Sequence, residues 1–108
     1  MTQAKKPRSD TPLTLGEIQR VLGDTFLDKD KARGVEATFL YFVSEVGELA
    51  EAMRDKKKRD LEKEFADVLA WLISVANLKG VSMEDVMRKH YLCCPNCGRI
   101  PCQCVSKP

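Results

Sequence analysis

Long apolar runs are absent from this sequence. The most apolar stretch, Val68 to Ile73, falls far short of the ~18 residues a membrane-spanning helix needs, and the N-terminus has no signal-peptide core. Aromatic residues are scarce, at 6%, and strand-like runs are few, which favours helix. No charge of one sign dominates: 18 Lys+Arg against 16 Asp+Glu leave a net +2. That near-balance hides a division, because residues 1–12 and 88–108 are net basic while residues 13–87 carry 11 basic against 15 acidic side chains. A nucleic-acid binder carries its basic footprint on the folded body, so an acidic body argues against nucleic acid as partner. Cysteine is missing before residue 93, and all five cysteines fall within residues 93–104. Clustered in this way in an intracellular chain, they bind metal more often than they form disulfides. At 108 residues the chain excludes separate cofactor and substrate domains, and its core is marginal alone, which calls for oligomerisation or a metal staple. The expected class is a soluble, cytoplasmic protein of one small domain.

Three parts follow from composition: a flexible tail over 1–12, a helical domain over 13–92 and a cysteine-rich tail over 93–108. Thr14 is placed to cap a first helix with Leu15, Ile18, Leu22 and Phe26 on one face, ending in the charged Asp28–Gly34 stretch. Val35, Phe39, Phe42, Val46, Leu49 and Met53 then repeat at spacings of 4 and 3, the stripe of a second helix. After a basic turn, Asp60 can cap a third helix whose Leu61, Phe65, Val68, Leu72 and Val75 repeat the pattern. Gly80 ends it, and Ser82 with Asp85 resembles a capping box opening a fourth helix to about Leu92. Two matched stripes joined by a short turn predict an all-α protein built on an antiparallel helical hairpin of the four-helix-bundle type.

With each residue turning ~100°, Glu45 and Glu48 lie roughly 70° and 130° from the centre of the second helix's stripe. Glu64 and Asp67 lie roughly 60° and 120° from the third helix's stripe, on the matching flank of the reversed helix. Their heights differ by about two residues, or ~3 Å. Four acids are therefore expected to converge beside one seam. Held close, they repel and resist ionisation unless cations neutralise them. Oxygen-only ligands suit Mg²⁺ or Mn²⁺. A di-iron bundle wants Glu-x-x-His on two helices, and the sole histidine, His90, belongs to neither pair. The plainer reading of such acids is a solvated helix face.

The run Ser44-Glu45-Val46-Gly47-Glu48, followed by Glu64-Phe65-Ala66-Asp67, resembles the MazG-type all-α nucleoside triphosphate pyrophosphohydrolases, whose signature is Glu-Glu-x-x-Glu, a variable stretch, then Glu-x-x-Asp. The resemblance covers about residues 35–90. It implies that Glu45, Glu48, Glu64 and Asp67 bind Mg²⁺ and that a nucleoside triphosphate is cut to its monophosphate and pyrophosphate. It also implies that hairpins pair between subunits in a homodimer or homotetramer. Ser44 stands where the motif has its first glutamate. Water must attack the α-phosphorus, and a carboxylate not fully occupied by metal can take its proton; Glu48 is the choice for that base. Lys63, with Lys56, Lys57, Lys58 and Arg59, either reaches the phosphates or forms a solvated turn that offsets the acids. Trp71, four residues after Asp67, either stacks on the nucleobase or serves as core or dimer interface, and Tyr41, four before Glu45, shares that ambiguity.

In the tail, Cys94-Pro-Asn-Cys97-Gly is a metal-knuckle pattern, and Cys102 and Cys104 complete a tetrahedral Cys₄ set for structural Zn²⁺, with Cys93 as spare and His90 as an outside candidate. Free or redox-active thiols are the alternative. Two other functions compete with triphosphate hydrolysis: a phosphoribosyl-ATP pyrophosphohydrolase of the same superfamily, and a non-enzymatic zinc-knuckle module for nucleic acid or protein with a helical dimerisation domain.

Overall fold

A computed structural model describes residues 13–55 and 61–106. Four helices follow in order: α1 (Leu15–Arg33), α2 (Val35–Arg54), α3 (Leu61–Lys79) and α4 (Met83–His90). No strand occurs among the described residues. The 1–12 tail, the Asp60 cap and the Lys56–Arg59 turn lie outside them.

Local chemistry explains the boundaries. Thr14 Oγ accepts the Glu17 N–H at 3.0 Å while Glu17 Oε1 accepts the Thr14 N–H at 2.8 Å, a reciprocal capping box that satisfies two otherwise unpaired donors. The charged stretch continues α1 as far as Arg33, and Gly34 stops it. Gly34 takes φ +94°, which favours glycine, and its N–H still reaches Asp30 O at 2.8 Å. Thr38 then returns both its N–H and its hydroxyl to Gly34 O, at 3.0 and 2.7 Å, so a single residue separates α1 from α2. Ser82 Oγ accepts the Asp85 N–H at the start of α4, which stops at His90, two residues short of the expected Leu92.

The most extensive packing is between α2 and α3, the expected hairpin, with α1 laid mainly against α3. Gln19 pins α1 to the α3–α4 corner, donating to Asn77 Oδ1 (3.0 Å) and Val81 O (2.7 Å) while accepting the Met83 N–H (2.8 Å). Glu84 Oε1 accepts the Gly16 N–H at 2.7 Å, and a β-carbon at position 16 would lie 2.9 Å from that oxygen, so the carboxylate would have to shift. Among the described residues no single helix is long and apolar enough to cross a membrane; α3 and α4 reach that length and composition only jointly, across a 99° bend.

The hairpin closes on only part of the stripes read from the sequence: Phe42 and Leu49 on α2 and Val68, Leu72 and Val75 on α3 are half-buried. On α2 the buried residues are Thr38 and Ala52, with Glu45 half-buried between them at spacings of seven. The stripe residues Phe39 (48% exposed), Val46 and Met53 (60%) face outward. On α3 the inward residues are Glu64, Ile73, Ser74 and Ala76, whereas Leu61 and Phe65 (54% exposed) are bare. Both helices are thus rotated so that their acid-bearing flanks turn inward. Ala52, Ile73 and Ala76 are the only buried apolar residues described. A core that thin leaves a broad apolar face on α2 and α3 in contact with water.

Candidate functional site

The rotation turns Glu45 and Glu64 inward and leaves Glu48 exposed beside them. Glu45 and Glu48, one helical turn apart on α2, and Glu64 on α3 each offer a carboxylate oxygen, and these atoms lie within 4.8 Å of one another. Glu64 is only 7% exposed. Buried oxygens of both Glu45 and Glu64, Oε1 in each case, have no hydrogen-bond partner. Burial, reinforced by the charges of Glu48, Asp67 and Glu64, raises the Glu45 carboxyl above its ordinary range, and Lys63 opposes this only in part.

Asp67, the fourth expected acid, is engaged otherwise. Lys63 Nζ donates to both its oxygens, at 3.0 and 3.2 Å, across one turn of α3. That hydrogen bond and the Asp67 charge raise the Lys63 ammonium above its ordinary range. Its carboxylate stands outside the three-glutamate group, yet its charge still acts on Glu45. Lys63 is therefore a counter-ion within the site, while Lys56–Arg59 fall outside the described residues.

A cavity of about 320 Å³ opens beside Asp67, bounded by α1 and α3. Phe26, Lys29, Asp30, Arg33, Trp71 and Ser74 line it. Trp71 is half-buried and stacks on Tyr41, with ring centroids 5.0 Å apart and planes 17° from parallel. The Arg33 guanidinium lies over both rings, 4.9 Å from Trp71 and 5.5 Å from Tyr41. Arg33 Nη1 also donates to Asp30 Oδ1 at 2.8 Å and Thr38 Oγ at 3.2 Å. Asp30 is 2% exposed, and its other oxygen, Oδ2, has no partner. Two other depressions, about 480 and 500 Å³, contain none of the four acids. Of these three spaces, the smallest joins a carboxylate of the acid group to cations and an aromatic surface.

The sequence pattern groups Phe26 with Leu15, Ile18 and Leu22 on one face of α1 and places Lys29, Asp30 and Arg33 in a charged helix end. The signal was present: Leu22, Phe26, Asp30 and Arg33 continue one face at spacings of 4, 4 and 3. An aspartate on an otherwise apolar face, three residues before an arginine, marks a buried pair.

The four cysteines expected to act together do converge. Cys94, Cys97, Cys102 and Cys104 each place Sγ within 4.8 Å of the others. Cys93 is exposed and outside the group, as is His90. Backbone N–H groups of Cys97 and Asn96 hold the Cys94 thiol down to about 6, whereas hydrogen bonding to Cys102 and partial desolvation push Cys104 up to about 12. Neighbouring sulfurs thus compete for negative charge.

The sequence matches the family described as the MazG nucleotide pyrophosphohydrolase domain over residues 33–92. All four acids, Lys63 and Trp71 lie within the matched segment; Asp30 precedes it and the cysteine cluster follows it. No curated protein matches the chain.

Proposed function

Because this chain belongs to the MazG nucleotide pyrophosphohydrolase family, we propose that it cleaves a nucleoside triphosphate to the monophosphate and pyrophosphate in a Mg²⁺- or Mn²⁺-dependent reaction. The observation that carries this reading is the pair of unpartnered, buried oxygens on Glu45 and Glu64, within a cluster of three glutamates, next to a cavity lined by Trp71 and Arg33. Buried carboxylates without donors are costly, and the donor set is all oxygen, which fits a hard divalent cation. Glu45, Glu48 and Glu64, joined by Asp67 once Lys63 releases it, would hold the ion. The metal supplies charge compensation to the phosphate oxygens and a more acidic water.

The remaining work belongs to side chains. The nucleoside enters the cavity against Trp71, and Lys29 and Arg33 offer positive charge to the phosphates. Asp30 Oδ2, an acceptor without a donor, suits an amino or imino hydrogen of the base. Lys63, freed from Asp67, follows the phosphates. Glu48, the exposed member of the glutamate cluster, takes the proton of the water that attacks the α-phosphorus as pyrophosphate leaves. Ser44, in place of the motif's first glutamate, removes one acid from this arrangement and leaves the other four.

The bare face of Phe39, Val46, Met53 and Phe65 supports a homodimer, or a tetramer built from it, in which a second hairpin completes a four-helix bundle. The cytoplasm, with its nucleotide pools, is the compartment this reading requires. Pyrophosphate release from a panel of ribo- and deoxyribonucleoside triphosphates and phosphoribosyl-ATP, with and without Mg²⁺, tests the proposal. Release from phosphoribosyl-ATP alone would move the substrate within the superfamily. Release from none of them would leave the helices as a dimerisation scaffold.

A further inference from the structure

We propose that Cys94, Cys97, Cys102 and Cys104 bind one Zn²⁺ in a closed tetrahedral site that holds together the segment after α4, independently of the carboxylate site. The geometry is that of ligands around an ion. Zn–S bonds of about 2.3 Å in a tetrahedron set sulfurs about 3.8 Å apart, and Cys94 Sγ lies 3.8 Å from Cys104 Sγ. A disulfide between them would require about 2.05 Å, and all five cysteines are free.

The backbone is shaped to present those sulfurs. Gly98, at φ +73°, donates its N–H to Cys94 O at 2.8 Å, closing the Cys94–Gly98 turn around two thiols. A return bond from Cys94 N to Arg99 O, at 3.3 Å, ties down the segment leaving that turn. Two further N–H groups aim at sulfur itself, Gln103 N to Cys97 Sγ and Cys104 N to Cys102 Sγ, each at 3.3 Å. Such donors stabilise a sulfur that carries negative charge, as a metal-bound thiolate does.

Nothing else in the segment can supply the cohesion. No residue between 91 and 106 is buried, and Tyr91, Leu92, Ile100 and Val105 are all exposed. Fixing the backbone of each ordered residue costs conformational entropy, and here no fully buried apolar side chain offsets it. Metal binding, which can provide folding free energy outright in small cysteine-rich units, fills that role. Ligand softness keeps the two metals apart: thiolates select zinc, carboxylates magnesium. With four sulfurs the shell has no open position, so the ion is structural.

The test uses the full-length protein purified without chelator. Elemental analysis should find about one zinc per chain, and thiol titration of the loaded protein should find a single fast-reacting cysteine, Cys93. Replacing zinc with Co²⁺ should produce the intense visible bands of a tetrahedral thiolate site. Cys97→Ser and Cys102→Ser should each lose stoichiometric zinc, and Cys93→Ser should keep it. Removing zinc should speed tryptic cleavage after Arg99 about tenfold or more while the helical circular dichroism is unchanged. Five reactive thiols in protein supplied with excess Zn²⁺, iron in place of zinc, or metal loss in Cys93→Ser equal to that in Cys97→Ser would each overturn the assignment. None of these readouts depends on nucleotide turnover, so the site stands or falls separately from the proposed hydrolysis.

Discussion

Glu45 on α2 and Glu64 on α3 face the same seam, and each keeps a buried Oε1 without a hydrogen-bond donor. A hairpin seam ordinarily closes on apolar side chains; this one closes partly on like charges. In the metal-free protein those charges oppose folding, and on the proposed reading a divalent ion takes them as ligands. Stability and activity are therefore expected to respond in opposite directions when one of them is neutralised.

Glu64→Gln keeps the shape and removes one charge. Without metal, its melting temperature should equal or exceed that of the wild type. With saturating Mg²⁺ the wild type should gain stability and the variant much less, because binding to the folded state is what stabilises it. Pyrophosphate release should fall by about two to three orders of magnitude. Melting curves at zero and millimolar Mg²⁺, with turnover on the same samples, check this. A variant that kept full turnover would remove Glu64 from the site.

Glu45 carries a pH signature. Its carboxyl is raised above the ordinary 4.5, first by burial and then by Glu48, Asp67 and Glu64. The folded state then holds this proton more readily than the unfolded chain does. Glu45's contribution is full below 4.5 and is lost as pH rises through the raised folded value. Metal-free Glu45→Gln should thus gain on the wild type as pH rises from the carboxylate range to neutrality. Mg²⁺ should reverse the difference at neutral pH, since only the ionised carboxylate is a ligand. A melting-temperature difference that stays flat with pH, with and without metal, would remove Glu45 from the strained cluster.

Much of this arrangement is legible in the sequence, and the remainder has a definite physical reason. Helical spacing alone brought Glu45, Glu48 and Glu64 to one side of a hairpin, because position on a helix fixes direction. Spacing did not show which flank turns inward. The apolar stripes are the natural choice for a seam, yet Phe39, Val46 and Phe65 of those stripes are exposed in the single chain, while Phe42, Leu49, Val68, Leu72 and Val75 are half-buried. A stripe records that a face is covered by something, and in a chain with so few buried apolar residues the cover need not be its own. The cavity is not legible in the sequence because it depends on α1, whose Asp30 and Arg33 read as surface charge until the helix is laid against Trp71. The cysteines needed no long-range packing, since a turn and a short loop bring them together.

Trp71 is the chain's sole tryptophan, so its emission reports on the cavity directly. Adding a nucleoside triphosphate with a non-reactive metal such as Ca²⁺ should change its fluorescence saturably, by base stacking or by displacement of Arg33 from the ring. Trp71→Ala should raise KM about tenfold, as expected for losing one stacking contact, with kcat changed by less than about threefold. A large fall in kcat at unchanged KM would instead make Trp71 a support for Asp67, one turn away.

Phe65 tests what covers the bare face. It is 54% exposed on α3, as Phe39 and Val46 are exposed on α2, and under the proposed dimer a second hairpin would cover it. The wild type should sediment as a dimer or larger, and its melting temperature should rise with protein concentration, as association coupled to folding requires. Phe65→Asp places a charge in that contact, and burying it unpaired would cost several kcal/mol, enough to shift the protein to monomer at micromolar concentration. Phe65 is absent from both the acid group and the Trp71 cavity, so any fall in turnover should recover as protein concentration is raised and dimer re-forms. Wild-type protein that sediments as a monomer at all concentrations and still turns over nucleotide would show that one hairpin suffices, and the apolar face would then require a different explanation.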